Sequence, residues 1–199
     1  EDRGIKVGII SGFDHFDACT FQANGDPVIV TKAEISGDRQ RFDVAHELGH
    51  LILDVQGVLK PEQAANRFVG AFLVPAKTAR FELGTQRTDL NVNELYMLKQ
   101  KYGLSMQAWV YRAKDLEIIS ENNAIRLFKQ FRVNGWHRQE PGDPYQPETP
   151  MRMEHLIYRA LAEDMISRSR AQELLGEPLQ PSWEKEALQL HDLAIRAGN

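Results

Sequence analysis

The chain has 199 residues, 42% hydrophobic and 26% charged, the profile of a globular protein long enough to bury a core without covalent staples. Its net charge of −4 argues against broad nucleic-acid binding, which needs a basic domain or stripe. Its single cysteine, Cys19, excludes an intramolecular disulfide and fits a reducing compartment. No apolar run approaches the roughly 18–20 residues that span a bilayer. The first residues also lack the charged, apolar and small-residue sections of a signal peptide. The expected location is the cytoplasm, with no membrane partner. The start at Glu1 suggests a segment of a longer chain.

The first third of the chain predicts strands. Residues 5–10 (IKVGII) form a β-rich run closed by Ser11-Gly12. Residues 19–23 and 27–31 flank Asn24-Gly25-Asp26, a hairpin signal because Asn and Gly tolerate positive φ. From Ser36 the period lengthens. Residues 38–54 place Phe42, Ala45, Leu48, Gly49 and Ile52 near one helical stripe. Pro61 stands at the first position of a second helix over 62–74, and Pro75 ends it. Further helices are expected over 91–102, closed by Gly103, over 106–117 behind the cap Ser105, and over 121–132. Residues 134–150 hold four prolines and two glycines and are expected to be a linker. Helical patterns return at 151–164, 168–175 and 182–197. The expected class is therefore α+β, a small antiparallel N-terminal sheet followed by helices. Its parts are a domain over 1–133, the linker 134–150 and a helical C-terminal extension over 151–199.

Within the first helix stands His46-Glu47-Leu48-Gly49-His50, an H-E-x-x-H string. Residues four apart share a helix face, so both imidazoles can reach one ion. Neutral imidazole suits zinc, and catalytic zinc sites commonly combine three protein ligands with a water. Glu47, about 100° further round the helix, is long enough to serve as the general base. The expectation is one Zn²⁺ per chain, although His/His/Glu sites also accept manganese or iron. The third ligand is open on spacing alone. Glu62 lies twelve residues after His50 at the head of the next helix, and Glu82 is the nearest alternative downstream. Asp54, one turn beyond His50, is short and on the same helix. It is better suited to holding a ligand histidine by its other ring nitrogen.

Two linked strings, RQRFDVAHELGHLILD (39–54) and EQAANRFVGAFLVP (62–75), resemble the active-site helix and the following helix of the ImmA/IrrE metallopeptidases. Residues 17–42 resemble the strands before that helix, 101–119 the helical pair after it, and GWHRQEP (135–141) a Gly-Trp-x-x-x-Glu-Pro element of members fused to a repressor domain. The resemblance implies a zincin-like peptidase domain with His46, His50 and Glu62 as zinc ligands and Glu47 as catalytic base. It also implies a supporting place for Asn66, four residues after Glu62. By the same analogy the substrate is an Xre-type helix-turn-helix repressor, whose cleavage relieves repression of stress, mobile-element or defence genes.

Other residues carry weaker signals. A thiolate at Cys19 is a candidate inhibitory zinc ligand; a small buried side chain is the plainer reading. Tyr96, Tyr102, Tyr111 and His137 are candidate oxyanion donors. Residues 156–176 resemble half of a helix-turn-helix around Ile166-Ser167. However, acidic residues outnumber basic ones over 151–199, so direct DNA binding by this segment is not expected. Arg126, Lys129, Arg132, His137 and Arg138 form the most basic stretch, a solvated helix face or a surface for an activating nucleic acid. Two rival readings remain. One is a sensor that keeps the zinc site without cutting, the other the C-terminal half of a one-chain transcription regulator.

Overall fold

A tight turn at Asn24 and Gly25, both at positive φ (54° and 87°), joins β2 (Ala18–Ala23) to β3 (Asp26–Lys32) as the hairpin signal predicts. The computed structural model describes residues 3–13, 15–56, 60–176 and 178–179. The chain divides into two units, Glu1–Thr149 and Pro150–Asn199.

In the first unit β3 is central, in the order β1-β3-β2. It pairs antiparallel with β2 and parallel with β1 (Lys6–Ile10). The sheet is therefore mixed, where the sequence predicts an antiparallel one. The hairpin places β2 on one edge of β3, and β1, which precedes the hairpin in the chain, pairs with the other edge. That pairing is non-local, and nothing in the pattern of residues 5–10 encodes its direction.

Helix α1 (Gly37–Ile52) packs against β2 and β3, and α2 (Pro61–Leu73) packs against α1. Pro61 opens α2 at its first turn, where a missing N–H costs nothing. Helix α3 (Ala76–Leu83) follows Pro75 directly; residues 76–83 carry no prediction, being a short run with little periodicity. Helices α4 (Val92–Tyr102), α5 (Met106–Asp115) and α6 (Glu121–Val133) match their expected spans within two residues. Asn91 and Glu94 form a capping box on α4. Ser105 and Ser120 accept from the first-turn N–H groups of α5 and α6, satisfying donors that a helix start leaves open. Gly103 ends α4 at φ 60°. The main core lies among these helices around Trp109 and Phe131, both fully buried.

Residues 134–149 belong to the first unit; they are a strap, not a linker. Trp136 packs edge-on against Phe131 with 5.6 Å between ring centroids. Glu140 accepts from the backbone N–H groups of Met106 and Gln107, each at 3.0 Å, putting a carboxylate on the positive end of α5. It also receives Lys99 Nζ at 3.1 Å. Lys99 faces Asp38 of α1 at 3.5 Å on its other side. The Tyr145 carbonyl accepts from Gly37 N, and Glu148 N donates to the Gln40 side chain. A Cβ at position 37 would overlap the Gln146 carbonyl, so glycine there lets the strap lie on the first turn of α1.

In the second unit α7 (Arg152–Ala162) and α8 (Arg168–Leu175) pack together. Ser167 caps α8. The helix expected over 182–197 lies outside the described residues. Among the described residues no helix is long and apolar enough to cross a membrane.

Candidate metal centre

Two helices meet here because both carry small residues at the crossing. A Cβ added at Gly49 would sit 3.1 Å from the Phe68 ring and 3.3 Å from Ala65 Cα. The α1 and α2 backbones thus approach more closely than larger side chains permit. Ala65 and Val69 bury one stripe of α2. Glu62 and Asn66, also four apart, share another and reach α1. From the far end, buried Arg112 of α5 donates to the Val74 carbonyl at 2.9 Å and fixes where α2 stops. Burial holds the Arg112 guanidinium below its usual pKa.

His46, His50 and Glu62 converge, with one donor atom from each lying within 4.8 Å of the others. His46 Nε2 is 3.0 Å from His50 Nε2 and 3.1 Å from Glu62 Oε2, and His50 Nε2 is 3.3 Å from Glu62 Oε1. Ligands about 2.0–2.2 Å from a tetrahedral zinc stand roughly 3.3 Å apart, so the separations fit a metal ion. The chemistry fits too. His46 Nδ1 is 3.1 Å from Asn66 Oδ1; a proton donated there leaves the lone pair on Nε2, pointing at the other two donors. Acceptor atoms this close need a shared proton or a cation between them, and one divalent ion satisfies all three together. Side-chain exposure rises from 17% at His46 through 30% at His50 to 71% at Glu62, so the site is open to solvent on the Glu62 side. The group is able to hold a divalent metal.

Glu47 lies beside this group on α1. Its Oε2 accepts the Thr20 hydroxyl of β2 at 2.7 Å. Sequence reasoning misses Thr20, although it adjoins Cys19. Alternation along β2 and the hairpin register were the signals that could have found it. The same alternation bears on Cys19 and favours the plainer of its two readings. Successive strand residues face opposite ways, and Thr20 faces α1. Cys19 is therefore turned to the other face of the sheet, away from the histidines, where its cross-strand partner is Val30.

Asp54 lies beyond the helix expected to carry it. Helix α1 ends at Ile52, with Leu53 already extended. Asp54 thus leaves the His50 face and accepts from the Gln56 side chain at 2.8 Å. Glu82, the alternative third ligand, lies instead between Lys101 Nζ at 2.7 Å and Tyr102 OH at 2.5 Å. Those hydrogen bonds lower its pKa. Among the oxyanion candidates, Tyr102 is engaged by Glu82, Tyr96 OH accepts from Asp143 N, and Tyr111 packs on Phe128.

Asp43 is a second unforeseen group, one turn before His46. It is 8% exposed. Burial raises its carboxyl to about 6, against a smaller opposing effect of the Arg39 guanidinium.

A family model described as Peptidase_M78, IrrE N-terminal-like domain, matches residues 2–114. The match contains β1 to α4, most of α5, and every residue of the His46, Glu47, His50 and Glu62 group. No curated protein matches the chain.

Proposed function

Because the chain belongs to the Peptidase_M78 family, through an IrrE N-terminal-like domain over residues 2–114, we propose that it is a zinc-dependent endopeptidase. His46, His50 and Glu62 hold one Zn²⁺, and Glu47 is the general base. The observation that carries this reading is the convergence of His46, His50 and Glu62 at separations of 3.0–3.3 Å beside Glu47. When bound, the metal supplies Lewis acidity, bringing the pKa of a water towards about 7 and polarising a carbonyl.

The chain's own residues divide the remaining work. Asn66 holds the His46 ring by Nδ1, fixing the tautomer that presents Nε2. Glu47 takes the proton of the attacking water and passes it to the departing amine, the two halves of general acid–base catalysis. The exposed Glu62 side leaves room for an extended peptide. The substrate proposed is an Xre-type helix-turn-helix repressor in the cytoplasm, by analogy with the family resemblance of the sequence; the family match supports the peptidase part of the reading.

The test begins with metal content by elemental mass spectrometry, beside His46→Ala. About one zinc per chain, lost in the variant, is expected. Glu47→Gln is expected to retain zinc and to lose repressor cleavage by at least about 100-fold. Repressor release that survives Glu47→Gln would establish a sensor that does not cut. Absence of zinc uptake by the unaltered protein would remove the metallopeptidase reading altogether.

A further inference from the structure

We propose that Thr20 is a positioning residue for Glu47. Its hydroxyl holds one carboxylate oxygen so that the other is the one available for proton transfer. The inference rests on the peptidase reading above and goes beyond it, by assigning a role to a strand residue outside the H-E-x-x-H helix.

The contact is short and directed: Thr20 Oγ1 donates to Glu47 Oε2 at 2.7 Å. A hydroxyl has a single proton, and the ionised carboxylate only accepts, so the direction of the bond is fixed. Occupying Oε2 breaks the equivalence of the two oxygens and leaves Oε1 as the free acceptor. A glutamate side chain otherwise has three rotatable bonds and a broad terminal torsion. A bond from a second element removes much of that freedom before any substrate arrives.

Thr20 is itself held rigidly. It is β-branched, which restricts χ1. Its cross-strand partner is Ile29, only 1% exposed on the central strand. The adjacent partners on that face are Ala18 and Thr31, and Thr31 is 2% exposed. The strand face that carries Thr20 is therefore the face buried under α1, and the hydroxyl is delivered from a packed surface rather than a loop. If the bond served only to tie β2 to α1, the amide oxygen of a glutamine at position 47 would accept it as well, and losing the hydroxyl would cost the same whether position 47 were acidic or not.

That difference supplies the test. Thr20→Val keeps the branched shape and removes the O–H; Thr20→Ser restores it; Thr20→Ala is carried in parallel in case valine alters folding. Each is made in the native background and in Glu47→Gln, loaded with zinc, and checked for metal content and thermal unfolding. The probe is acetohydroxamic acid, which yields its hydroxyl proton to a neighbouring carboxylate on binding a catalytic zinc, so no substrate need be known. Expected are full zinc content throughout, affinity about tenfold weaker in Thr20→Val and Thr20→Ala, and affinity within about twofold of native in Thr20→Ser. In Glu47→Gln the Thr20→Val change is expected to add nothing. Native affinity in zinc-loaded Thr20→Val overturns the proposal. So does an equal loss in the Glu47→Gln background, which assigns Thr20 a structural role. Failure of the unaltered protein to bind zinc is a separate result, removing the peptidase reading and this role with it.

Discussion

Asp43 shows how one buried residue makes stability depend on pH. Arg39 lies at 3.3 Å from its Oδ1, Asp17 adds a like charge, and His46 an opposing one. In the metal-free protein its carboxyl titrates near 6, against an ordinary value of 3.8. The folded form therefore holds this proton more tightly than the unfolded chain. Above pH 6 the charged group is a source of instability; the penalty shrinks as pH falls through 6 and is gone below about 4. Asp43→Asn is accordingly expected to stabilise the metal-free protein at pH 7.5 by about 1–2 kcal/mol, roughly 3–6 °C in melting temperature. At pH 4 it should change little. Thermal unfolding at the two pH values decides the matter; a lower melting point at pH 7.5 would mean that the Arg39 pairing outweighs burial.

At the scale of elements, the α1–α2 crossing sets the third ligand. Gly49 sits inside the H-E-x-x-H string at a position the motif leaves free, yet its Cβ would touch the Phe68 ring and the Ala65 backbone. Gly49→Val adds two further methyl groups at this crossing. It is expected to cost about 1–3 kcal/mol in overpacking and to move Glu62 relative to His50. Zinc affinity, measured by competition with a chelator, should fall at least about tenfold, while both histidines remain. Native affinity in Gly49→Val would show that the close approach does not govern Glu62.

The same crossing explains what was legible in advance. The i, i+4 histidines, the Pro61 start and the Pro75 stop are local signals, and α1 and α2 formed close to their expected bounds. Spacing and the short connection over 55–60 place Glu62 ahead of Glu82 without deciding between them, and the family resemblance strengthens that order; the choice itself depends on how two helices pack. Asp54 stands two residues beyond the end of α1, and the exact end of a helix is weakly encoded in its sequence. Thr20 was invisible because its contact with Glu47 spans 27 positions and depends on which face of β2 meets α1. Prolines in 134–150 marked irregular backbone correctly, but composition does not say whether such backbone packs. Glu140 decided that by binding two N–H groups and Lys99.

For the first unit as a whole, the strap is the test of where the domain ends. A chain cut after Val133 loses Glu140. That leaves Lys99, 5% exposed, with Asp38 alone, and strips the carboxylate from the start of α5. Stranding buried charge and donors in this way typically costs several kcal/mol. Truncation after Val133 is expected to abolish cooperative unfolding or to lower the melting point by more than about 10 °C, whereas truncation after Thr149 keeps zinc uptake. Equal behaviour of the two truncations would return residues 134–149 to the status of a linker.

The strap also imposes an order of events on a chain made from its N-terminus. Gln40 and Arg41, on the helix that carries the histidines, find their partner in Glu148, 108 and 107 positions later. During synthesis all four residues of the metal and base group exist long before the carboxyl side of that clamp has left the ribosome. A nascent chain thus carries His46, Glu47 and His50 on a helix whose first turn holds Lys32 and Asp17 but has yet to gain its contacts with residues 145–148. The seat of the helix closes only when nearly the whole first unit is present, a built-in delay between making the site and fixing it.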